Sequence, residues 1–334
     1  MKLFGFTKAL FFFIFITELL LQSFIFLKIY DNKIISLFYN PYCNQAYWNL
    51  NKNSDFKSYF NNEIIYHPLL SLVRKKNKIP LAKNEKVSAD NINNEKKIIF
   101  FGSSFIDHKI FKKKLIKNKI NNKNYALSSY GLDQILLSYQ LTSERHKEQF
   151  IIFGFLIEDL DRVIFNKRNY PKIKFKYQNK KFVMSNTPIT EIKEPFNFDF
   201  YLYKFIRNFY FLLNNDFDHK RSVCFSNFKK QFFEYYTNEI LQGSKINNQK
   251  IIFITFNFLD EVKTNKLNWR HEFILETLKQ NKIINIDTKK ILKRDSKLNN
   301  TQIEKYFNNK DFHLSNKGFE LVVKEIVKTI EQYK

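Results

Sequence analysis

The sequence predicts an α/β fold in which a parallel sheet is sandwiched by helices, with one N-terminal transmembrane helix and an α+β insertion. Four short, almost wholly apolar runs resemble strands buried on both faces of a parallel sheet: residues 97–101, 149–155, 250–256 and 283–286. Segments with helical spacing of apolar residues lie between them. Strands that alternate with helices are typical of a parallel α/β sheet.

The amino-terminal run from Ala9 to Leu27 predicts a membrane-spanning helix. It has nearly the roughly 20 apolar residues that cross a bilayer, and Glu18 in its middle opposes insertion. No small-residue cleavage site follows, which favours an uncleaved signal anchor over a removed signal peptide. We therefore expect residues 1–30 to be a single-pass anchor in the cell membrane that meets the lipid bilayer through residues 9–27. The chain from Asp31 onward is then extracytoplasmic (periplasmic).

Residues 31–95 are interpreted as a connector that packs on the main domain, residues 96–334. The connector is irregular, and Tyr66-His67-Pro68 indicates an extended segment or a turn. Cys43 and Cys224 either form a disulfide in an oxidising compartment or remain two buried thiols. The sequence leaves both alternatives open.

The other elements of the main domain continue the alternation of strands and helices. We predict helices at Phe105–Ile120, Leu132–Leu141, Glu272–Gln280 and Gly318–Tyr333, and a further strand at Asn124–Leu127. The last of these helices is amphipathic, because its apolar residues recur at helical spacing along one face.

Residues from about 162 to 248 break this alternation and are interpreted as an insertion that covers one edge of the sheet. Ile173–Met184 has the pattern of a hairpin, and Phe200–Leu213 is dense in Phe and Tyr at roughly helical spacing. The aromatic stripe favours a packing face of the insertion. A substrate groove or contact with the membrane surface stays open as an alternative.

The formal charge of +24 raises the question of nucleic-acid binding, and its distribution disfavours that function. Lysines are spread along the whole chain, with no basic cluster interleaved with aromatic residues. Lys, Asn, Ile and Phe are all abundant, while Gly and Pro number 6 each. A bias that spans charged, polar and apolar residues reflects nucleotide composition better than selection for a basic surface.

Two stretches at opposite ends of the main domain suggest a serine nucleophile and its base. The strand of residues 97–101 runs into Gly102-Ser103-Ser104 and then into a helical segment, which raises a hydroxyl above the carboxyl edge of the sheet. Asp311 and His313 stand just before the last helix. A hydroxyl together with an Asp/His pair supplies a nucleophile, a base and a group that orients the base. A plain serine N-cap is the simpler explanation of the first stretch alone.

These blocks together resemble the SGNH/GDSL hydrolase superfamily, especially membrane-anchored members of the O-acetyltransferase and esterase type. The resemblance implies a flavodoxin-like sheet, with Ser104 as the nucleophile, Asp311 and His313 as its partners, and the Ser104 peptide within the oxyanion hole. Ser103 replaces the aspartate of the family's Gly-Asp-Ser block. The spacing Asp-x-His resembles the acetyltransferase-like members.

The middle blocks depart from the family pattern. Ser129 falls where the family has a glycine that donates its backbone N–H to the oxyanion, and Gly131 follows two residues later. Glu158 replaces the expected oxyanion-hole asparagine, and an ionised glutamate only accepts hydrogen bonds. Either Glu158 is protonated or turned toward Arg162, with Asn257 as a displaced donor, or catalysis is lost. For the Glu-Asp-x-x-Arg cluster itself, a structural salt-bridge network is the favoured interpretation.

The resemblance implies a membrane-anchored serine esterase or O-acyltransferase that acts through an acyl-enzyme on a cell-envelope glycan or lipid. The alternative is a catalytically inactive SGNH-like binding or assembly protein of envelope biosynthesis, which Glu158 favours. Neither hypothesis involves a metal or another cofactor. The sequence does not distinguish hydrolysis from acyl transfer.

Overall fold

The computed structural model describes residues 2–27, 32–50, 60–81, 97–168, 170–189, 200–213, 223–264, 268–309 and 312–333. The helices are α1 Lys2–Phe26, α2 Asn32–Phe38, α3 Gln45–Leu50, α4 Ser104–Asp107, α5 Lys109–Lys117, α6 Leu132–Thr142, α7 Tyr201–Leu213, α8 Ser226–Ile246, α9 Leu259–Lys263, α10 Trp269–Gln280, α11 Thr288–Leu298 and α12 Asn316–Gln332. The strands are β1 Ile64–His67, β2 Ser71–Arg74, β3 Ile98–Gly102, β4 Asn122–Asn124, β5 Phe150–Leu156, β6 Lys174–Gln178, β7 Lys181–Ser185, β8 Lys250–Phe256 and β9 Ile284–Asp287. The chain forms two compact units. The first unit comprises residues 1–57, 165–171 and 191–226, and the second comprises residues 58–164, 172–190 and 227–334.

The second unit is built on a five-stranded sheet in which all strands are parallel. The strands lie in the order β4-β3-β5-β8-β9, so the chain starts near one edge, moves outward, and then crosses to the other side. This is the flavodoxin-like order, and it confirms the predicted fold class. The order reverses between β3 and β5, and the turns that follow those two strands lie at the carboxyl ends where such sheets bind ligands.

The central strands β3, β5 and β8 are largely apolar because helices cover both faces of the sheet, whereas the edge strand β4 is polar (Asn122-Lys123-Asn124). Successive side chains of a strand point to opposite faces. Ile152 of β5 belongs to a buried cluster that includes Phe111 of α5 and Val322 of α12. The next residue, Phe153, packs on the other face against Tyr139 of α6 and Tyr236 of α8, at ring distances of 5.2 and 6.2 Å.

The predicted insertion differs from the structure in one important respect. The hairpin is present as β6 and β7, paired from Lys174↔Ser185 to Gln178↔Lys181. The prediction that the insertion covers an edge is wrong for its last part, since α8 lies on a face of the sheet. Phe233 and Tyr236 of α8 contact Phe155 of β5 at 6.1 and 6.3 Å. The helix is therefore one of the layers of the fold.

The connector also has more regular structure than its sequence predicted. Residues 32–50 contain α2 and α3 in the first unit, while β1 and β2 form an antiparallel hairpin in the second. The ring of His67 explains the local turn, since its Nδ1 accepts the N–H groups of Leu69 and Leu70 at 3.2 Å. This histidine therefore has a structural role in the turn.

The first unit gathers α1, α2, α3 and α7 around a small aromatic cluster. Phe38, Tyr39 and Tyr201 are buried at its centre. Phe6–Phe26 is long and apolar enough to cross a membrane, with a mean hydropathy of 2.2. A disulfide joins Cys43 to Cys224, so the structure selects the paired alternative for the two cysteines.

Candidate active site

Two glycines set the position of the turn that follows β3. Gly102 and Gly154 lie opposite each other in β3 and β5. A Cβ atom on Gly102 would collide with the backbone oxygen of Gly154, and one on Gly154 would collide with the side chain of Ile106. Only glycine at both positions lets α4 lie directly against the strands. This close approach allows α4 to begin at Ser104, two residues beyond the end of the strand.

The turn presents one of its two serines to the surface. Ser103 has no exposed surface, and its N–H donates to the oxygen of Gly154 at 3.1 Å. The Ser103 hydroxyl lies beside the carboxylate of Asp159. Ser104 is partly exposed. Ser104 is therefore the more accessible of the two hydroxyls, and its role as the nucleophile stays a prediction.

His313 packs against the short helix that begins at Ser104. Its ring lies 4.7 Å from that of Phe105, the residue after Ser104, and stacks on His108 at 4.9 Å. The backbone oxygen of His313 accepts the N–H of Asn308 at 2.7 Å. The structure thus brings the two ends of the main domain together at one place. Asp311 lies outside the described residues, so its role stays a prediction.

The loop after β4 is tied to the same short helix. Asp107, at the end of α4, accepts both the N–H and the hydroxyl of Ser128 at 3.1 Å. Arg74 and Lys112 hold the other carboxylate oxygen at 2.6 and 2.5 Å. The next residue, Ser129, has φ of 72°, in the left-handed region that favours glycine.

Ser129 thus holds a backbone conformation that a glycine would adopt without strain, and its role as an oxyanion donor stays a prediction. The other predicted donor, Gly131, directs its N–H to Oε1 of Gln134 at 3.3 Å. Gly131 is the N-cap residue of α6, and its N–H is used in the cap of that helix.

Glu158 lies in the turns Ile157–Ile164, which follow β5 at the carboxyl edge of the sheet. Burial and the nearby charge of Asp161 raise the pKa of Glu158 to about 7, although Arg162 and Arg270 oppose the rise. Asp159 adds a smaller repulsion. A carboxyl group with this pKa is neutral in a large fraction of molecules near pH 7, and the neutral form carries an O–H donor.

The Asp159 and Arg162 part of the cluster is structural, as predicted. Arg162 pairs with Asp159 at 2.8 Å, and its other terminal nitrogen donates to the oxygen of Tyr130 at 2.7 Å. Asp159 also accepts the N–H of Leu156 at 3.0 Å. These bonds fasten the turn after β5 to the loop that carries Ser129.

Asn257, the predicted displaced donor, follows β8 and is buried. Its amide nitrogen donates to Glu261 of α9 at 3.4 Å. Glu261 also accepts from Asn268 and from the N–H of Phe258. The amide of Asn257 is therefore directed toward the start of α9.

Sequence reasoning missed two residues near this site. His108 stacks on His313 and on Phe319, and its Nδ1 accepts the N–H of Ile110 at 3.3 Å. Its position four residues after Ser104 was the available signal. Lys172 forms a fully buried ion pair with Asp133, which fastens the segment before the hairpin β6–β7 to α6. No local pattern marks a lysine whose partner is 39 residues away.

No protein-family model and no curated protein matches this chain. The solved structures similar to it include a lipase/acylhydrolase from Enterococcus faecalis, at 11% identity over 72% of this chain and 97% of that chain, with a TM-score of 0.40. A GDSL-like lipase from Bacteroides thetaiotaomicron is 11% identical over 74% of this chain and 93% of that chain, with a TM-score of 0.40. An acetyl xylan esterase is 11% identical over 70% of this chain and 99% of that chain, with a TM-score of 0.42. Likenesses at this level carry no weight for function, which must come from the residues of the chain.

Proposed function

We propose that the chain is a membrane-anchored serine esterase or O-acyltransferase that forms an acyl-enzyme on Ser104. The observation that carries the proposal is the placement of this partly exposed hydroxyl at the carboxyl end of β3, with the ring of His313 against the adjacent Phe105. A hydroxyl at a strand-to-helix turn and a histidine from the far end of the domain are the parts of an activated nucleophile.

The proposed reaction needs only groups of this chain and the substrate. The oxygen of Ser104 attacks the ester carbonyl carbon while His313 takes the hydroxyl proton. The tetrahedral intermediate collapses, the C–O bond to the leaving group breaks, and His313 returns the proton to that oxygen. Water or a sugar hydroxyl then attacks the acyl-serine while His313 takes its proton, the bond between the acyl carbon and the Ser104 oxygen breaks, and His313 returns the proton to that oxygen. Asp311 is the predicted group that orients His313.

Two donors are proposed for the oxyanion beside the Ser104 peptide. The first is the backbone N–H of Ser129, which keeps the conformation of a glycine. The second is Glu158 in its neutral form, since its pKa of about 7 supplies an O–H donor at neutral pH and below. The charges that act on it are Asp161 and Asp159 on one side and Arg162 and Arg270 on the other.

The proposed location is the cell membrane, with the second unit outside the cytoplasm. The helix α1 has the length and hydropathy of an anchor. The disulfide between Cys43 and Cys224 suits an oxidising compartment. A hydrolase held there meets envelope glycans and lipids, which we propose as its substrate class.

A catalytically silent binding protein is the second candidate, and one observation favours it. When Glu158 is ionised, its charge opposes the oxyanion where an asparagine amide would stabilise it. Loss of one such donor costs about 100- to 1000-fold in rate.

Covalent labelling of the full chain with a fluorophosphonate tests the proposal. We expect labelling of the parent that vanishes in Ser104→Ala and falls strongly in His313→Ala. The matched control is Ser103→Ala, an adjacent and buried serine that should leave labelling in place. Absence of labelling in the parent, with labelling in Glu158→Asn, would favour the silent binding protein. If no folded variant reacts, the nucleophile assignment is wrong.

A further inference from the structure

The helix α7 starts on the side chain of Glu18, a residue in the middle of the apolar helix α1. The two carboxylate oxygens accept the N–H groups of Tyr201 and Leu202 at 2.9 and 2.8 Å. These are the first two residues of α7, whose N–H groups have no partner within the helix. Gln22, one turn farther along α1, donates to the same carboxylate at 2.8 Å. The costly glutamate of the apolar run therefore caps a second helix.

The depth of Glu18 places the start of α7 inside the bilayer if α1 crosses it. Phe6–Phe26 matches the roughly 30 Å hydrocarbon thickness, and Glu18 lies about 12 Å from its C-terminal end. The helix α7 runs antiparallel to α2, since Tyr201 packs on Phe38 and Tyr39 at the end of α2 and Asn208 donates to the oxygen of Leu37 at 3.0 Å. The helix α7 thus begins beside the middle of α1 and the end of α2, and it runs toward the start of α2.

One side of α7 is packed, and a ridge of exposed apolar residues winds around the rest of the helix, where Arg207 is also exposed and lies 5.9 Å from the centre of the Tyr203 ring. Tyr201 and Phe205 contact Phe38 of α2 at ring distances of 5.7 and 6.0 Å. The exposed strip consists of Phe200, Tyr203, Ile206 and Phe209, spaced three residues apart, with relative exposures of 62%, 63%, 59% and 46%. Four large apolar side chains in one row are rare on a surface that meets water.

The basic residues of α7 fit the same orientation. Lys204 lies over the ring of Tyr39 at 4.2 Å, and Arg207 is one turn farther from the buried start of the helix. Long basic side chains reach from the hydrocarbon edge to the headgroup layer and are attracted by anionic lipids.

We propose that α7 is a second membrane-inserted element, a half-helix that dips into the leaflet beside the C-terminal half of α1. Its exposed strip faces lipid acyl chains, and Glu18 holds its N-terminus at that depth. The inference rests on the proposed anchoring of α1. Glu18 connects the two elements, because it belongs to α1 and accepts the first N–H groups of the helix that carries the strip. The chain would then contact the membrane through two helices, α1 and α7, and the aromatic segment Phe200–Leu213 would have the function of binding lipid.

Single-cysteine variants of the full chain in lipid nanodiscs test this proposal. The two native cysteines are joined to each other, so an introduced cysteine supplies the single free thiol. The variants are Ile206→Cys on the strip, Phe12→Cys on α1, and Ile246→Cys as a control on an exposed isoleucine of the second unit, 81% exposed. Each is labelled with a charged, membrane-impermeant maleimide and compared with its SDS-denatured sample.

We expect Ile206→Cys and Phe12→Cys to react about 100-fold more slowly than Ile246→Cys, since a charged reagent is excluded from hydrocarbon. A nitroxide at position 206 should collide with oxygen and be shielded from a nickel chelate, which distinguishes lipid contact from burial in protein. Fast labelling at position 206 with protection at position 12 would overturn the α7 proposal alone. Fast labelling at both positions would overturn the proposed anchoring itself.

The role of Glu18 has its own test in the Ile206→Cys chain. Glu18→Leu removes both acceptors of the α7 N-terminus and should raise the labelling rate at position 206. Gln22→Leu is the matched control, since it adds the same side chain to the same face of α1 and keeps the carboxylate. Equal labelling in the two variants would overturn the capping role. Unchanged labelling of Ile246→Cys verifies that the second unit stays folded.

Discussion

Two glutamates, Glu18 and Glu158, occupy positions where the sequence pattern predicts an uncharged residue. They differ in the groups that surround their carboxyl oxygens. Glu18 interrupts an apolar helix, and two backbone N–H groups and one amide donate to it. Glu158 stands in place of an expected asparagine, where burial and Asp161 raise its pKa to about 7. A carboxylate surrounded by donors serves as a structural acceptor. A carboxyl group close to another buried acid is held near its protonated form and is suited to donate.

A third buried carboxylate extends the comparison, because its partner is a full positive charge. Asp133 and Lys172 have side-chain exposures of 0% and 1%. We expect Lys172→Met to lower the free energy of unfolding by about 3–5 kcal/mol, since it leaves the carboxylate buried without its cation. Denaturant unfolding followed by circular dichroism measures the change. The double variant Asp133→Leu with Lys172→Met should recover most of the loss, and equal stability of the single variant and the parent would contradict the assignment.

The comparison predicts a catalytic effect for Glu158 if its neutral form donates. Glu158→Leu removes the donor and should slow fluorophosphonate acylation by about 100- to 1000-fold at pH 6. Glu158→Gln keeps an amide donor of similar size, so its loss should be much smaller. Second-order labelling rates of the parent and both variants provide the measurement. A leucine variant that reacts as fast as the parent would show that Glu158 is not a donor, and a faster one would show that its charge is inhibitory.

The raised pKa of Glu158 also predicts a pH dependence of stability. Its pKa rises from 4.5 in the unfolded chain to about 7 in the folded chain, so its contribution to stability is complete below pH 4.5. That contribution is lost as the pH increases through 7. Relative to the parent, Glu158→Gln should gain about 1–3 kcal/mol of unfolding free energy between pH 5 and pH 8, with a discount for partial exposure. Unfolding curves at the two pH values measure it, and an identical pH dependence in both proteins would contradict the raised pKa of Glu158.

The parallel α/β arrangement was predictable because apolar strand runs alternate with helical segments, whereas the flavodoxin-like order of the strands was implied only by the family resemblance. The helix α8 was missed because its pattern is masked by Lys229, which is buried through a pair with Asp161 at 2.7 Å. That partner is 68 residues earlier in the chain, and no local pattern reports such a distance. For the same reason the sequence did not predict the capping role of Glu18. Its carboxylate accepts the N–H of Tyr201, which is 183 residues later in the chain.

Candidate site residues that belong to a short motif of fixed spacing could be predicted from the sequence. The protonation state of a residue could not, because it depends on which groups folding brings close to it. Ser104 and His313 were predicted from short motifs at the two ends of the domain, and the structure brings these two stretches together. The state of Glu158 depends on Arg270 and Asp161, which come from different elements. A pKa that results from several charges brought together by folding has no counterpart in the order of residues.

The smallest predicted effect concerns Ser129, whose backbone N–H is the proposed oxyanion donor. Its φ of 72° strains any residue with a Cβ atom, and a β-branched one most. We expect Ser129→Gly to change the free energy of unfolding by less than about 1 kcal/mol, because relief of strain and the greater freedom of the unfolded chain oppose each other. Ser129→Val should lower it by about 1–3 kcal/mol.

The labelling rates of these variants distinguish a backbone donor from a hydroxyl donor. If the N–H of Ser129 binds the oxyanion, Ser129→Gly keeps the rate and Ser129→Val reduces it by displacing the peptide. Lys119→Val is the matched control, since Lys119 is exposed and has φ of 53°, so that its valine variant shares the strain and should keep the rate. A loss of rate in Ser129→Gly would instead assign the donor to the hydroxyl. In that case the serine hydroxyl would have a function that glycine lacks. A retained rate would instead mean that serine is only tolerated in a backbone conformation that favours glycine.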